Sequence, residues 1–180
     1  MRLINVNIHR NWILIMLLST IMFSLHAQKP AYILYNSEGK KSSYRKLLGA
    51  SAGADVVLFG EHHTNPISHW LQFELTRDLY AKAGADLVLG AEMFEADNQL
   101  LIDEYFQDLI TETKFEEEAR LWKNYKTDYK PLVLFAKNHQ LDFVATNIPR
   151  RYANSVFKQG KEVLNRLSDR ARSYIAPLPL

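Results

Sequence analysis

The sequence predicts an α/β fold, a mostly parallel sheet with flanking helices, built as a single domain. Three apolar runs, Asp55–Gly60, Asp86–Glu92 and Asp142–Thr146, have the length and composition of strands buried on both faces. Apolar residues at helical spacing lie between them. Alternation of this kind closes into a parallel sheet through right-handed crossovers. No internal repeat, low-complexity tract or Pro/Gly/Ser linker divides the 180 residues, which have room for one hydrophobic core.

At the N-terminus, Arg2 and Arg10 flank an apolar run from Trp12 to Leu25, broken only by Ser19, Thr20 and Ser24. The run is short for a membrane span and ends at His26-Ala27-Gln28, where Ala27 suits the position before a signal-peptidase cut. Residues 1–27 are therefore expected to be a signal peptide and residues 28–180 the exported domain. Bulky Leu25 keeps an uncleaved anchor as the alternative reading. Removal of Arg2 and Arg10 brings the 22 basic residues level with the 20 acidic ones, so charge gives no reason to expect a nucleic-acid partner. The chain has no cysteine, which excludes disulfides, thiolate metal sites and lipidation at the cut.

Along the domain, Ala31–Tyr35 is β-like and closes in a turn at Asn36-Ser37-Glu38-Gly39, and Tyr44–Leu48 suggests a short helix. After the first apolar run, Asn65 can cap a helix with Pro66 in its first turn. Ile67, Leu71, Leu75 and Leu79 then share a face, and Gly84 is the stop. After the second run, Leu101, Tyr105 and Leu109 share a helix face that Ile102, Phe106 and Ile110 widen. Pro131 starts a helix over Leu132–His139, and His139 reads as a partner for that helix's C-terminal dipole.

Ligands of open parallel sheets gather beyond the carboxyl ends of the strands, where the loops converge. Here those ends read Glu61-His62-His63, Glu92-Met-Phe-Glu95 and Thr146-Asn147-Ile148-Pro149-Arg150-Arg151. Carboxylates and imidazoles suit a divalent transition metal or acid–base chemistry, so Glu61, His63 and Glu92 are catalytic candidates and His63 the metal-ligand candidate. Asn147, Arg150 and Arg151 suit carboxylate or phosphate groups. Adjacent residues on extended backbone point opposite ways, so one of His62 and His63 is expected to face the crevice. His69, in the first turn of the following helix, is a further candidate with a half-buried structural role as its alternative. Glu92 ends its strand, whereas Glu95 fits a helix N-terminus. Phosphate loops, nucleophile elbows and His-Glu-x-x-His helices are missing.

Four motifs, Gly60-Glu61-His62-His63, Gly90-Ala91-Glu92-Met93-Phe94, Tyr129-Lys130-Pro131-Leu132 and Ala145-Thr146-Asn147-Ile148-Pro149-Arg150-Arg151-Tyr152, occur in the order found in the ChaN-like haem-binding uptake family. The chain resembles that family from about Tyr32 onward, and more distantly the erythromycin esterase and Tiki peptidase group. The resemblance implies an exported iron-acquisition protein that binds haem, with Glu61, His62, His63, His69, Glu92, Asn147, Arg150, Arg151 and Tyr152 as cofactor-binding candidates. It also implies a homodimer enclosing the haem and an unidentified outer-membrane or other iron-uptake partner. Some relatives are lipoproteins, but this chain has no cysteine to lipidate, so a periplasmic or secreted product is expected. Relatives also extend beyond the equivalent of Leu180, which suggests a C-terminally truncated form. The rival reading is a metal-assisted or acid–base hydrolase using Glu61, a histidine and Glu92. A third reading is an inactive remnant or interaction module.

Overall fold

The computed structural model describes residues 30–178; the expected signal peptide lies outside them. Residues 30–42 belong to one compact unit and residues 43–178 to another. In the first, β1 (Leu34–Tyr35) pairs antiparallel with β2 (Lys41–Ser42). The turn is the expected one. The Asn36 side-chain oxygen accepts from the Glu38 and Lys40 amides, and Gly39 takes a positive φ of 72° that glycine tolerates without strain.

The second unit is an α/β assembly of helices around a small parallel sheet. It opens with α1 (Tyr44–Ala52), whose N-cap Ser43 accepts from the Lys46 amide. The next helix, α2 (Pro66–Ala83), starts and stops where the sequence says: Asn65 accepts from the Ile67 and Ser68 amides, Pro66 occupies the first turn, and Gly84 ends the helix at a φ of 59°. Its buried residues are His69, Leu71, Leu75 and Thr76, while Ile67 is exposed. The helix stripe is thus centred nearer His69 than the four-residue spacing alone suggests.

Strand β3 (Leu89–Glu95) pairs in parallel with β4 (Phe143–Asn147), in the register Leu89↔Phe143, Gly90↔Val144, Ala91↔Ala145 and Glu95↔Asn147. Three residues of β3 therefore stand against one of β4 between the last two pairs, and this irregularity breaks the period-two alternation. Its consequence is that Met93, Phe94 and Glu95 are all buried in succession. At Gly90 a Cβ would lie 3.1 Å from Thr146 Cγ2, so a larger residue there would crowd that methyl.

The expected strand at Asp55–Gly60 is a correction. The segment has no strand pairing among the described residues, and Val56 and Leu58 are 73% and 92% exposed. An apolar run specifies that a strand is affordable; pairing requires a neighbour whose free edge lies alongside, and no local pattern encodes that. The sheet is consequently two-stranded rather than a broad parallel one.

The core is aromatic. Phe94, Ile102, Phe115, Tyr125, Tyr129, Val133 and Phe143 are buried together, with Phe115 stacked on Tyr105 at 4.7 Å. These side chains come from β3, β4, α3 (Gln99–Phe106), α4 (Glu112–Glu118), a π-helical turn at Tyr125–Tyr129 and α5 (Lys130–Asn138). The expected continuation of α3 to Leu109 and Ile110 does not form. Asp108 takes a φ of 58°, and Lys137 Nζ donates to the carbonyl of Tyr105 and the carboxylate of Asp108, closing the helix end. His139 fills the role expected of it, capping α5 by donating from Nδ1 to the Phe135 carbonyl at 2.8 Å. The chain continues through α6 (Arg150–Gln159) to α7 (Asp169–Arg172). Among the described residues, no helix is long and apolar enough to cross a membrane.

Candidate functional site

A cavity of about 1110 Å³ lies between the extended segment 54–61, helix α2 and the open side of β3. Its walls include Val56, Leu58, Leu75, Leu87 and Met93, and Glu61, His63, Glu92 and Thr146 add polar groups. Three candidates, Glu61 and His63 after the extended segment and Glu92 within β3, therefore line one cavity. His62 does not line it, so of the adjacent histidines it is His63, at the start of a turn, that faces the cavity.

Glu61 is the hub of the polar end. Its Oε1 accepts from Tyr129 Oη at 2.5 Å and from His63 Nδ1 at 3.1 Å. Oε2 lies 3.1 Å from His69 Nδ1, yet neither of these two buried atoms has a hydrogen-bond partner among the described residues. His69 is almost fully buried on α2 and donates from Nε2 to the His63 carbonyl at 3.0 Å. Asn124 donates to that same carbonyl at 2.6 Å and to Asp128 at 2.7 Å. Trp122 meets His63 edge-on at 4.8 Å and Tyr129 at 5.6 Å. His69 thus stands behind His63 rather than beside it, in a fully buried position instead of a half-buried one.

Burial, followed by the hydrogen bond to Glu61, holds the Tyr129 phenol well above its ordinary ionisation range. The hydroxyl therefore stays a donor to the carboxylate at any physiological pH. Sequence reasoning did not assign Tyr129, Asn124 or Trp122 to the site. Only the Tyr129-Lys130-Pro131 motif carried a signal for any of them.

A second cluster forms where β3 and β4 end. Glu95 is buried and accepts from Arg120 Nε at 3.1 Å and from the Arg150 backbone amide at 2.9 Å. Asp97 accepts from both Arg120 and Arg151. Arg151 also donates to Tyr152 Oη at 3.2 Å and lies over its ring at 4.5 Å. Glu95 thus holds the Arg120 guanidinium and, through the Arg150 amide, the N-terminus of α6, a different helix from the one that follows it in the chain, while Glu92 is exposed. Arg151 is committed to Asp97. The Arg150 side chain, 81% exposed, has only a 3.9 Å approach to Glu95 and is the cation left most available to an anion. Asn147 pairs in register with Glu95 and ends β4 beside this cluster. The predicted site residues accordingly divide in two: Glu61, His63 and Glu92 at the cavity, and Asn147, Arg150, Arg151 and Tyr152 with the carboxylate–guanidinium cluster.

Among the described residues, no group of three or more His, Asp or Glu side chains is arranged to hold a metal ion. Of the candidates, His63 offers one nitrogen donor, Nε2, which makes no hydrogen bond among the described residues.

No curated protein matches the chain. The solved structure described as cofacial haem binding to ChaN of Campylobacter jejuni is similar, with a TM-score of 0.59 and 22% identity. The match covers 75% of this chain, which spans 55% of that one. At that identity the likeness concerns the fold. Residues 47–180 match the family model for haem-binding uptake proteins of the Tiki superfamily, ChaN, which covers most of the chain. The chain belongs to the ChaN haem-binding uptake family.

Proposed function

We propose that the protein is an exported haem-binding protein of iron acquisition, holding haem in a cleft at the carboxyl ends of the strands. The observation that carries this reading is the cavity in which apolar walls meet Glu61, His63 and Glu92. A planar, largely apolar cofactor needs a concave apolar surface with a few fixed polar groups, and the cavity volume is of the order that such ligands require. His63 supplies a nitrogen donor for iron, and the exposed Arg150 a cation for a propionate, with Tyr152 and Asn147 nearby in sequence. When bound, haem supplies the iron and its redox chemistry; the protein's own residues bind, orient and shield it. Export rests on the expected signal peptide at residues 1–27, with a periplasmic or secreted product free of lipid. A homodimer enclosing haem and an iron-uptake partner belong to the same reading.

The test is titration of the purified protein with ferric haem, followed by absorbance. A saturable change in the haem band, altered in position by His63→Ala and weakened by Arg150→Ala, is the expected result. A titration indistinguishable from haem in buffer overturns the reading. The acid–base hydrolase alternative is favoured by one observation, the Glu61–His63 hydrogen bond, which is the kind of contact that orients a general base. Turnover of ester or amide substrates lost in Glu61→Gln, with no haem response, would establish it instead.

A further inference from the structure

His63 is half exposed, 56% by side chain, yet it is held on several sides. Its Nδ1 meets Glu61, its carbonyl takes hydrogen bonds from His69 and Asn124, and its ring edge rests on Trp122. Those partners come from α2 and from the segment before α5, far apart in the chain. Ordering an exposed imidazole costs rotamer freedom and returns little burial, so core stability gives no reason for this arrangement. A carboxylate accepts but does not donate, so the contact with Glu61 requires the proton of a neutral His63 to sit on Nδ1. The unshared pair is then on Nε2, which makes no hydrogen bond among the described residues, on a ring that lines the cavity.

We infer that His63 is a pre-oriented ligand-binding imidazole locked in the Nδ1–H tautomer by Glu61, and that Tyr129, His69 and Asn124 are positioning residues acting through that pair. Tyr129 acts on the carboxylate: its short bond to Oε1 fixes the plane in which Glu61 meets the imidazole. His69 and Asn124 act on the backbone, setting the direction in which the ring leaves the chain. In that tautomer the ring presents one nitrogen lone pair to the cavity, which suits a Lewis-acidic centre or a proton donor. Only the identity of that partner as haem iron rests on the function proposed above; the locked tautomer does not.

The experiment is long-range ¹H–¹⁵N correlation on the full chain labelled at histidine, with His63 assigned by its loss in His63→Gln. The expected result is an excess of at least about tenfold of the Nδ1–H tautomer, the scale of one charge-assisted hydrogen bond. In Glu61→Gln, whose amide can itself donate to Nδ1, the excess should collapse or reverse. In Tyr129→Phe it should shrink, while Glu61→Asp should restore part of what Glu61→Gln loses. A merely structural Tyr129 would lower the melting temperature and leave the His63 signals unmoved. Nε2–H as the main tautomer of the unaltered protein overturns the inference, whatever haem does. Should Tyr129→Phe fail to fold, Asn124→Ala tests the same claim from the solvent side. Ferric haem added to the same samples separates the two readings: a locked tautomer with no haem response sinks the proposed function and leaves the positioning intact. A haem response that persists in His63→Gln sinks the assignment of His63 as the nitrogen that meets the iron.

Discussion

Tyr129 is one of the most buried side chains of the molecule, and its hydroxyl ends on a carboxylate rather than on backbone. Replacing it with phenylalanine removes one donor from Glu61 and nothing else in volume terms. The expected cost is about 1–3 kcal/mol, the penalty of leaving a buried acceptor short of a partner, read from a denaturant midpoint shift. The same burial has a pH signature. Tyr105 is pushed up from 10.0 to about 12, first by burial and then by its hydrogen bond to Glu112, and Tyr125 and Tyr129 are raised as well. Below pH 10 the folded and unfolded phenols both keep their protons and stability is unaffected. Between pH 10 and about 12 the unfolded chain loses protons that the folded chain retains, so stability falls as pH rises. Melting temperatures should decline across that interval, and the share of phenolate absorbance that belongs to these three tyrosines should appear together with unfolding rather than before it. Glu61, His63 and Glu92 were legible in the sequence because polar residues closing apolar runs stand out locally. Tyr129 and Asn124 were not, because their partners lie 68 and 61 positions away and nothing in their own neighbourhoods announces the contact.

Helix α2 shows what element-level reasoning reads well. Asn65 satisfies two of the orphan amides at the N-terminus, and Gly84 takes the left-handed conformation at the other end. Asn65→Ala should therefore cost about 1 kcal/mol in thermal or denaturant unfolding. Because α2 carries His69, the loosened first turn should also weaken the hold on the His63 carbonyl, visible as a shift of the His63 signals. Caps and stops are local chemistry, which is why they were legible. The end of α3 was not, since Lys137 closes it from α5 and the apolar spacing continues through Leu109 as if the helix did. The irregular pairing of β3 was equally hidden: the run Ala91–Glu95 reads as an ordinary buried strand, and only the register against β4 shows why three successive residues face inward.

At the scale of the second compact unit, the strand–helix alternation announced the α/β class but not the width of the sheet. Leu89 donates to Asp142 across the β4 side, so the backbone groups of Gly90 and Glu92 point to the other edge, where no strand pairs among the described residues. Exposed Val56, Leu58 and Val88 lie on or beside that open side. An unpaired edge with apolar side chains around it is a template for association, and a single charge is the device that natural edges use to prevent it. Leu58→Lys is therefore expected to leave the unfolding free energy within about 0.5 kcal/mol of the unaltered protein, since an exposed leucine contributes little burial. It should also lower light scattering and sedimentation-detected self-association at high concentration. A large loss of stability instead would mean that Leu58 is covered in solution, and would place segment 55–60 inside a packed sheet.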